Sequence, residues 1–201
     1  HTLNRAVELA LLLAVPASAA LIIIPDPIIK ALFERGGFAA AETRATAAAL
    51  VAYATGLPAF ILIKVLAPGF FARENTITPV KIAGFCVLLN VALNLLLMGP
   101  LLHVGIALAT AISAWVNAGF LFWGLCRRGY FKVDARLKRA LPRILLASGT
   151  MMVVVWLSFD GLVKFIGTEP VSHAFALALV IAIGVGVFGV STMVLGIAKM
   201  S

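Results

Sequence analysis

The stretch IAGFCVLLNVALNLLLMGPLLHVGIALATAISAWVNAGFLFWGLC, from Ile82 to Cys126, runs for 45 residues without an Asp, Glu, Lys or Arg. One membrane crossing takes about 20 apolar residues, so this run is too long for one helix and about right for two. The division falls at Met98-Gly99-Pro100-Leu101-Leu102-His103-Val104-Gly105, because Gly and Pro punctuate a helical pattern. The run therefore predicts spans over 82–98 and 104–126. Working outward, the same logic predicts four more: Leu9–Pro25 (reaching back to Ala6 if Glu8 sits near the interface), Ala45–Ile63, Ile144–Phe159 and Ala174–Ala198. Alternation of period two is absent, which excludes a transmembrane β-barrel. The expected fold is an all-α polytopic membrane protein with six transmembrane helices.

Composition agrees. The 201 residues are 63% hydrophobic and only 12% charged, with a mean hydropathy of +1.11, whereas soluble domains are about 45–50% apolar and about 25% charged. A water-soluble domain, a disordered chain and a coiled coil are excluded on these grounds. The chain begins with His1 rather than Met, so it is read as a fragment or a processed product, and no signal-peptide pattern is visible. Cys86 and Cys126 lie inside apolar runs and are read as small buried side chains. His1, His103 and His173 have no acidic partner motif, and no phosphate-binding loop is present. The residues therefore point to transport or a structural role in the membrane, with no enzyme chemistry, no metal site and no organic cofactor.

The net charge of +8 matters less than its placement. Arg5, the segment with Lys64, Arg73 and Lys81, the seven basic residues between Arg127 and Arg143, and Lys199 all fall on one side of the predicted spans. That side holds twelve cations and the other holds four: Lys30, Arg35, Arg44 and Lys164. By the positive-inside rule both ends of the chain are cytoplasmic. Within the Arg127–Arg143 segment, Tyr130, Val133, Leu137 and Leu141 recur at helical spacing. This predicts a basic amphipathic helix lying on anionic phospholipids. Nucleic acid is a poor competitor for these charges, since no base-stacking platform accompanies them. On the opposite side, Pro25 to Phe38 predicts a short interfacial helix with Ile28, Ile29, Leu32 and Phe33 on one face, stopped by Gly36 and Gly37. Glu34 and Arg35 in that loop read either as an external gate or as an ordinary surface pair.

Polar residues inside spans either glue helices together or line a path. Asn90 and Asn94 share one face of the third predicted span, and Thr110, Ser113 and Asn117 share one face of the fourth. Two amide carbonyls and a hydroxyl are hard oxygen ligands suited to a small cation; interhelical hydrogen bonding is the competing reading. Pro16 in the first span, with Gly56 and Pro58 in the second, predicts helix kinks.

Three strings carry a resemblance: Leu32-Phe33-Glu34-Arg35-Gly36-Gly37-Phe38; Tyr53-Ala54-Thr55-Gly56-Leu57-Pro58-Ala59-Phe60; and Lys64 to Val80, with its Arg73-Glu74 and Thr78-Pro79. In order and spacing they resemble the MurJ/MviN family, the lipid II flippases of the multidrug/oligosaccharidyl-lipid/polysaccharide exporter superfamily. Asn90, Gly105, Ala107 and Asn117 continue the pattern. The resemblance implies a fourteen-helix transporter of which this chain holds the last six helices. Residues 1–126 would be the last four helices of the C-terminal lobe, 127–143 a cytoplasmic amphipathic linker, and 144–201 two additional helices bordering a groove for a polyprenyl tail. It implies alternating access in a bacterial inner membrane, and lipid II or a related polyprenyl-pyrophosphate lipid as substrate. The partner lobe and the substrate-contacting arginines would come from the N-terminal part of the same polypeptide. Glu34, Arg35, Arg73, Glu74 and Pro79 fall in the loop motifs. Some members hold a cation such as sodium with an Asn, a carboxylate one turn later and a Thr on the next helix. Asn90 and Thr110 match that set; Asn94 stands where the carboxylate would be, and a neutral amide does not compensate a buried cation's charge. Ala39 likewise replaces the usual hydroxyl residue after the first motif. A related polysaccharide-lipid or drug exporter, or a membrane scaffold, is the alternative on the same sequence.

The charge arithmetic is tested by cysteine labelling in intact cells. A Cys at Gly37 or Gly167 is expected to react from outside and one at Asp134 is not; external labelling at position 134 would overturn the topology.

Overall fold

A computed structural model describes residues 2–33, 40–166 and 170–196. Among them the regular structure is entirely helical: α1 (Thr2–Ile23), α2 (Pro25–Phe33), α3 (Ala40–Ala54), α4 (Leu57–Phe71), α5 (Ile77–Arg127), α6 (Ala135–Ile166) and α7 (Pro170–Val194). Helix is what an apolar chain must form in lipid, because each backbone polar group then finds its partner within the segment. Five stretches are long and apolar enough to cross a membrane, α3 and α4 together making one of them.

The longest is α5, whose 51 residues would extend about 76 Å if straight, against a hydrocarbon core of about 30 Å. It does not run straight. Leu102 has φ 50° and ψ −130°, a left-handed break inside the helix, and beyond it the chain doubles back. A Cβ added at Gly105 would collide with the carbonyl of Leu97, eight residues earlier. Further along, the Phe85 and Phe120 rings meet edge to face at 5.7 Å. The two limbs of α5 are thus antiparallel crossings, and the charge-free run makes two spans as its length predicts.

α1 packs against α4 and α6, α3 and α4 pack against α5, and α6 pairs with α7. The contacts of α3 and α4 fall on the second limb of α5, which runs parallel to them. His103 lies 3.1 Å from the Ala45 carbonyl at one end, and the added Cβ of Gly124 would touch Phe70 at the other. One apolar core, with Val7, Leu66, Phe70, Leu121, Leu125 and Leu137, lies toward the start of α1. A second, with Ile24, Met151, Val155, Leu177 and Val180, lies toward its end. In the first limb of α5, by contrast, Pro79 and Cys86 are the buried side chains among the described residues. Leu88, Leu95 and Leu96 stand about 70% exposed, on a face left for lipid or for other protein. α2 matches the short helix expected after the first span; Ile29 is its buried side chain, and Ile28 packs on the second core.

Where the second crossing breaks, neighbouring helices repair it. Pro58 has no N–H, so the Ala54 carbonyl four residues earlier loses its helical donor. The buried Ser18 hydroxyl of α1 donates to that carbonyl at 2.6 Å. Trp115 Nε1 donates to the next carbonyl, Thr55, at 2.9 Å. Gly56 is required here by contact: its Cβ would stand 2.8 Å from Ala111 Cα. Pro16 is buried inside α1, which runs unbroken through it.

The Arg127–Arg143 segment departs from expectation. It is not one amphipathic helix. α5 ends at Arg127, Gly129 takes a positive φ of 70°, and the Tyr130 amide donates back to the Leu125 carbonyl at 2.9 Å. Asp134 then caps a new helix, its Oδ1 accepting from the Leu137 amide at 2.7 Å, and residues 135–143 are the opening turns of α6. A left-handed glycine and an aspartate N-cap stop and restart the helix within six residues, and both signals outrank the apolar spacing that linked Tyr130 to Leu141. Phe131 and Leu137 are buried in the protein core rather than laid on a leaflet.

The hairpin in α5 gives a direct test. Gly105→Ala is expected to lower stability by about 2 kcal/mol or more, since the Leu97 backbone cannot yield. Gly99→Ala, with nothing within 4 Å of its added Cβ, is expected to be neutral or slightly stabilising; thermal melting of both variants in detergent reads the difference.

Candidate functional site

α1, α4, the second limb of α5 and α6 enclose an apolar groove of about 700 Å³. Leu11, Leu62, Phe122, Leu141 and Leu145 are among its walls, and Lys138 is the charged residue that lines it. Both wall prolines, Pro58 and Pro142, sit where helices bend or lose a backbone bond. Such a lining offers little hydrogen bonding. Its chemistry is that of a bed for a hydrocarbon chain.

Beside Val7 and Leu137 of the groove wall, a polar clamp joins α1 to the start of α6. Glu8, only 5% exposed, accepts from Arg5 at 2.6 Å and from Arg136 Nε at 3.1 Å, with two further contacts to Arg136 at 3.4 Å. A buried carboxylate is costly unless paired, and removing one partner of such a pair is strongly destabilising. One turn earlier, Asn4 uses both ends of its amide: Nδ2 donates to the Lys132 carbonyl at 2.9 Å and Oδ1 accepts from the Asp134 amide at 3.3 Å. The sequence sets Glu8 at the head of the first span, which reaches back to Ala6 if Glu8 sits near the interface, and predicts neither connection. The available signal was an acid and an amide one turn apart at the head of an otherwise apolar span.

The residues singled out from sequence are distributed as follows. Asn90 and Asn94 are brought together, Asn94 Nδ2 donating to Asn90 Oδ1 at 2.9 Å. Asn94 Oδ1 is buried and has no hydrogen-bond partner, as is the Ser113 hydroxyl on the second limb. Thr110 instead donates to the Ile106 carbonyl of its own helix at 2.9 Å, and among the described residues no hydrogen bond joins it to either asparagine. Arg73 stacks on the Tyr130 ring at 4.5 Å and donates to the carbonyls of Gly69 at 2.8 Å and Tyr130 at 3.3 Å. It therefore ties the end of α4 to the turn before α6. Glu74 is exposed, with a positive φ of 57°, in the tight turn that delivers the chain into α5. Pro79 is buried in the first turn of α5, a position that needs no backbone donor. Glu34 and Arg35 lie outside the described residues. Gly56 and Pro58 form the repaired break already described, next to Trp115 on the groove wall.

The profile of the family described as "Lipid II flippase MurJ" matches residues 1–179. The "Probable lipid II flippase MurJ" of Rhizobium meliloti (strain 1021) is 40% identical over 198 residues, which cover 94% of this chain and 37% of the relative. The protein of the same description from Rickettsia prowazekii (strain Madrid E) is 37% identical over 195 residues, 97% of this chain and 36% of the relative. Among solved structures, "Lipid II flippase MurJ, inward closed conformation" superposes with a TM-score of 0.81 at 25% identity, over 99% of this chain and 39% of that one. The chain thus spans little more than a third of the length of the relatives it matches. Six apolar crossings in this arrangement, matched along nearly their whole length, identify a multi-pass membrane protein that belongs to the lipid II flippase MurJ family.

Proposed function

We propose that this chain is the C-terminal portion of a flippase that moves lipid II, a polyprenyl-pyrophosphate precursor of peptidoglycan, across a bacterial inner membrane by alternating access. The relatives named as lipid II flippases support the substrate, and the apolar groove carries the reading at the level of residues. A polyprenyl tail is a long hydrocarbon, and a groove walled by Leu11, Leu62, Phe122 and Leu145 shields about 25 cal/mol of apolar free energy per Å² covered. In this reading residues 1–126 complete the C-terminal lobe, residues 144–201 are the appended pair, and the cations of 127–143 face anionic phospholipids on the cytoplasmic side. The N-terminal part of the full polypeptide supplies the opposing lobe and the pyrophosphate contacts. A related exporter of polysaccharide lipids or drugs is the competing activity.

A second reading concerns the polar pair of α5. Asn94 Oδ1, buried without a donor, lies on a helix whose Asn90 carbonyl is already engaged. An acceptor left without a donor favours a cation such as sodium over plain interhelical glue, with Thr110 as the ligand from the facing limb.

Complementation of flippase-depleted bacteria with the full-length parent gene tests the first reading. Wild type is expected to rescue growth, and Leu62→Arg to fail while still present in the membrane at wild-type level. Failure of wild type, with a gain in drug tolerance, would favour the exporter; rescue by Leu62→Arg would exclude the groove as the tail bed. For the second reading, Asn94→Asp supplies a carboxylate. Its melting temperature in the full-length protein is expected to rise with sodium but not with choline, and no sodium-dependent gain means no latent site. In an ion-free interface the buried acid costs several kcal/mol or stays neutral.

A further inference from the structure

At the end of the bundle where α1 begins and α4 finishes, a recess of about 760 Å³ opens between α1, α4 and the turn that precedes α6. It is separate from the apolar groove, and its walls differ in kind. Lys64, Arg73 and Lys132 line it together with Asn4, and no acidic residue does. Of the nearby acids, Glu8 is held by Arg5 and Arg136, Asp134 caps α6, and Glu74 is outside the lining. Two further cations of this end are stacked on rings, Arg127 over Trp123 at 5.1 Å and Arg128 over Phe70 at 5.8 Å. Lys64 and Lys132 have no ion-pair partner among the described residues, so the recess concentrates uncompensated positive charge.

The cations are also held in position. Arg73 is fixed by its stack on Tyr130 and by two carbonyls, which leaves three of its five N–H groups available. The backbone of Lys132 is pinned through its carbonyl by Asn4. Two lysines and a planar guanidinium from three separate segments, lining one concavity, suit a phosphate. Leu3, Val65, Pro68 and Phe131 are among the other walls, and such an apolar surround suits the glycerol and first methylenes of a lipid better than a free ion. Basic recesses between transmembrane helices bind lipid head groups in this manner.

We propose that this recess is a discrete binding site for the phosphate of an anionic lipid head group. It is distinct from general attraction of the Arg127–Arg143 charges to a leaflet, and it does not depend on the flippase reading. The test uses the full-length protein in neutral detergent, with native mass spectrometry counting bound dioleoyl-phosphatidylglycerol. Wild type is expected to retain one molecule in preference to dioleoyl-phosphatidylcholine. Lys64→Gln with Lys132→Gln is expected to weaken that first binding by about tenfold or more, and Lys64→Arg with Lys132→Arg to restore it. Lys81→Gln with Arg139→Gln, two exposed cations outside the recess, is expected to leave it unchanged. Equal retention of phosphatidylcholine, an unchanged affinity in the Gln pair, or an equal loss in the outer pair would overturn the proposal. Displacement by inorganic phosphate at concentrations comparable to the lipid would reassign the site to a soluble anion and overturn the lipid assignment.

Discussion

An unpaired carbonyl inside a bilayer has no water to turn to, and the architecture here is arranged around that constraint. Pro58 removes the donor that the Ala54 carbonyl would have used, and Ser18 of α1 supplies another at 2.6 Å. Trp115 of α5 does the same for Thr55. The second crossing therefore bends only because α1 and α5 stand on either side of it with a hydroxyl and an indole N–H in place. Gly56 lets α5 approach closely enough for this, since any side chain there would strike Ala111. The bend in turn places Pro58 and Trp115 on the wall of the apolar groove, so backbone repair and groove shape are one feature.

At the basic end, polar chemistry takes over from packing. Glu8 sits between two arginines, one on its own helix and one on α6, while Asn4 holds the turn between α5 and α6 by its backbone. These contacts join residues about 130 apart in sequence. They make α6 part of the same body as α1, although the turn before α6 has the basic, polar composition of a linker. Val7 and Leu137 beside the clamp line the apolar groove, and Asn4 of the clamp lines the charged recess. The apolar groove and the cationic recess thus lie against different stretches of α1, Val7, Leu11 and Val15 lining the one and Leu3, Asn4 and Ala6 the other.

The first limb of α5 has the opposite character. Its large apolar side chains face outward and little of it is buried, in a chain that spans little more than a third of its relatives. Its two asparagines pair with each other rather than with the facing limb, and one amide oxygen is left without a donor. Exposed apolar surface and an orphaned amide oxygen thus fall on the same limb, which is where the proposed cation reading differs most from simple helix packing.

Much of the architecture was legible in composition and periodicity. A 45-residue charge-free run can only be two crossings, since the thickness of hydrocarbon sets the length of a helix and Gly99-Pro100 marks the turn. The short helix after the first span was equally plain from its apolar spacing, and the family strings around Tyr53 and Lys64 pointed to a lipid II flippase. The Arg127–Arg143 segment departs from its apolar spacing because Gly129 and Asp134 end one helix and begin the next. What no window of sequence carries is which distant groups meet. Ser18 finding Ala54, Glu8 finding Arg136, and Lys64 and Lys132 sharing one recess depend on the rotation of each helix about its axis. That rotation is set by side-chain packing between helices, and in lipid, where hydrophobicity is satisfied on every face, only the tertiary structure decides it.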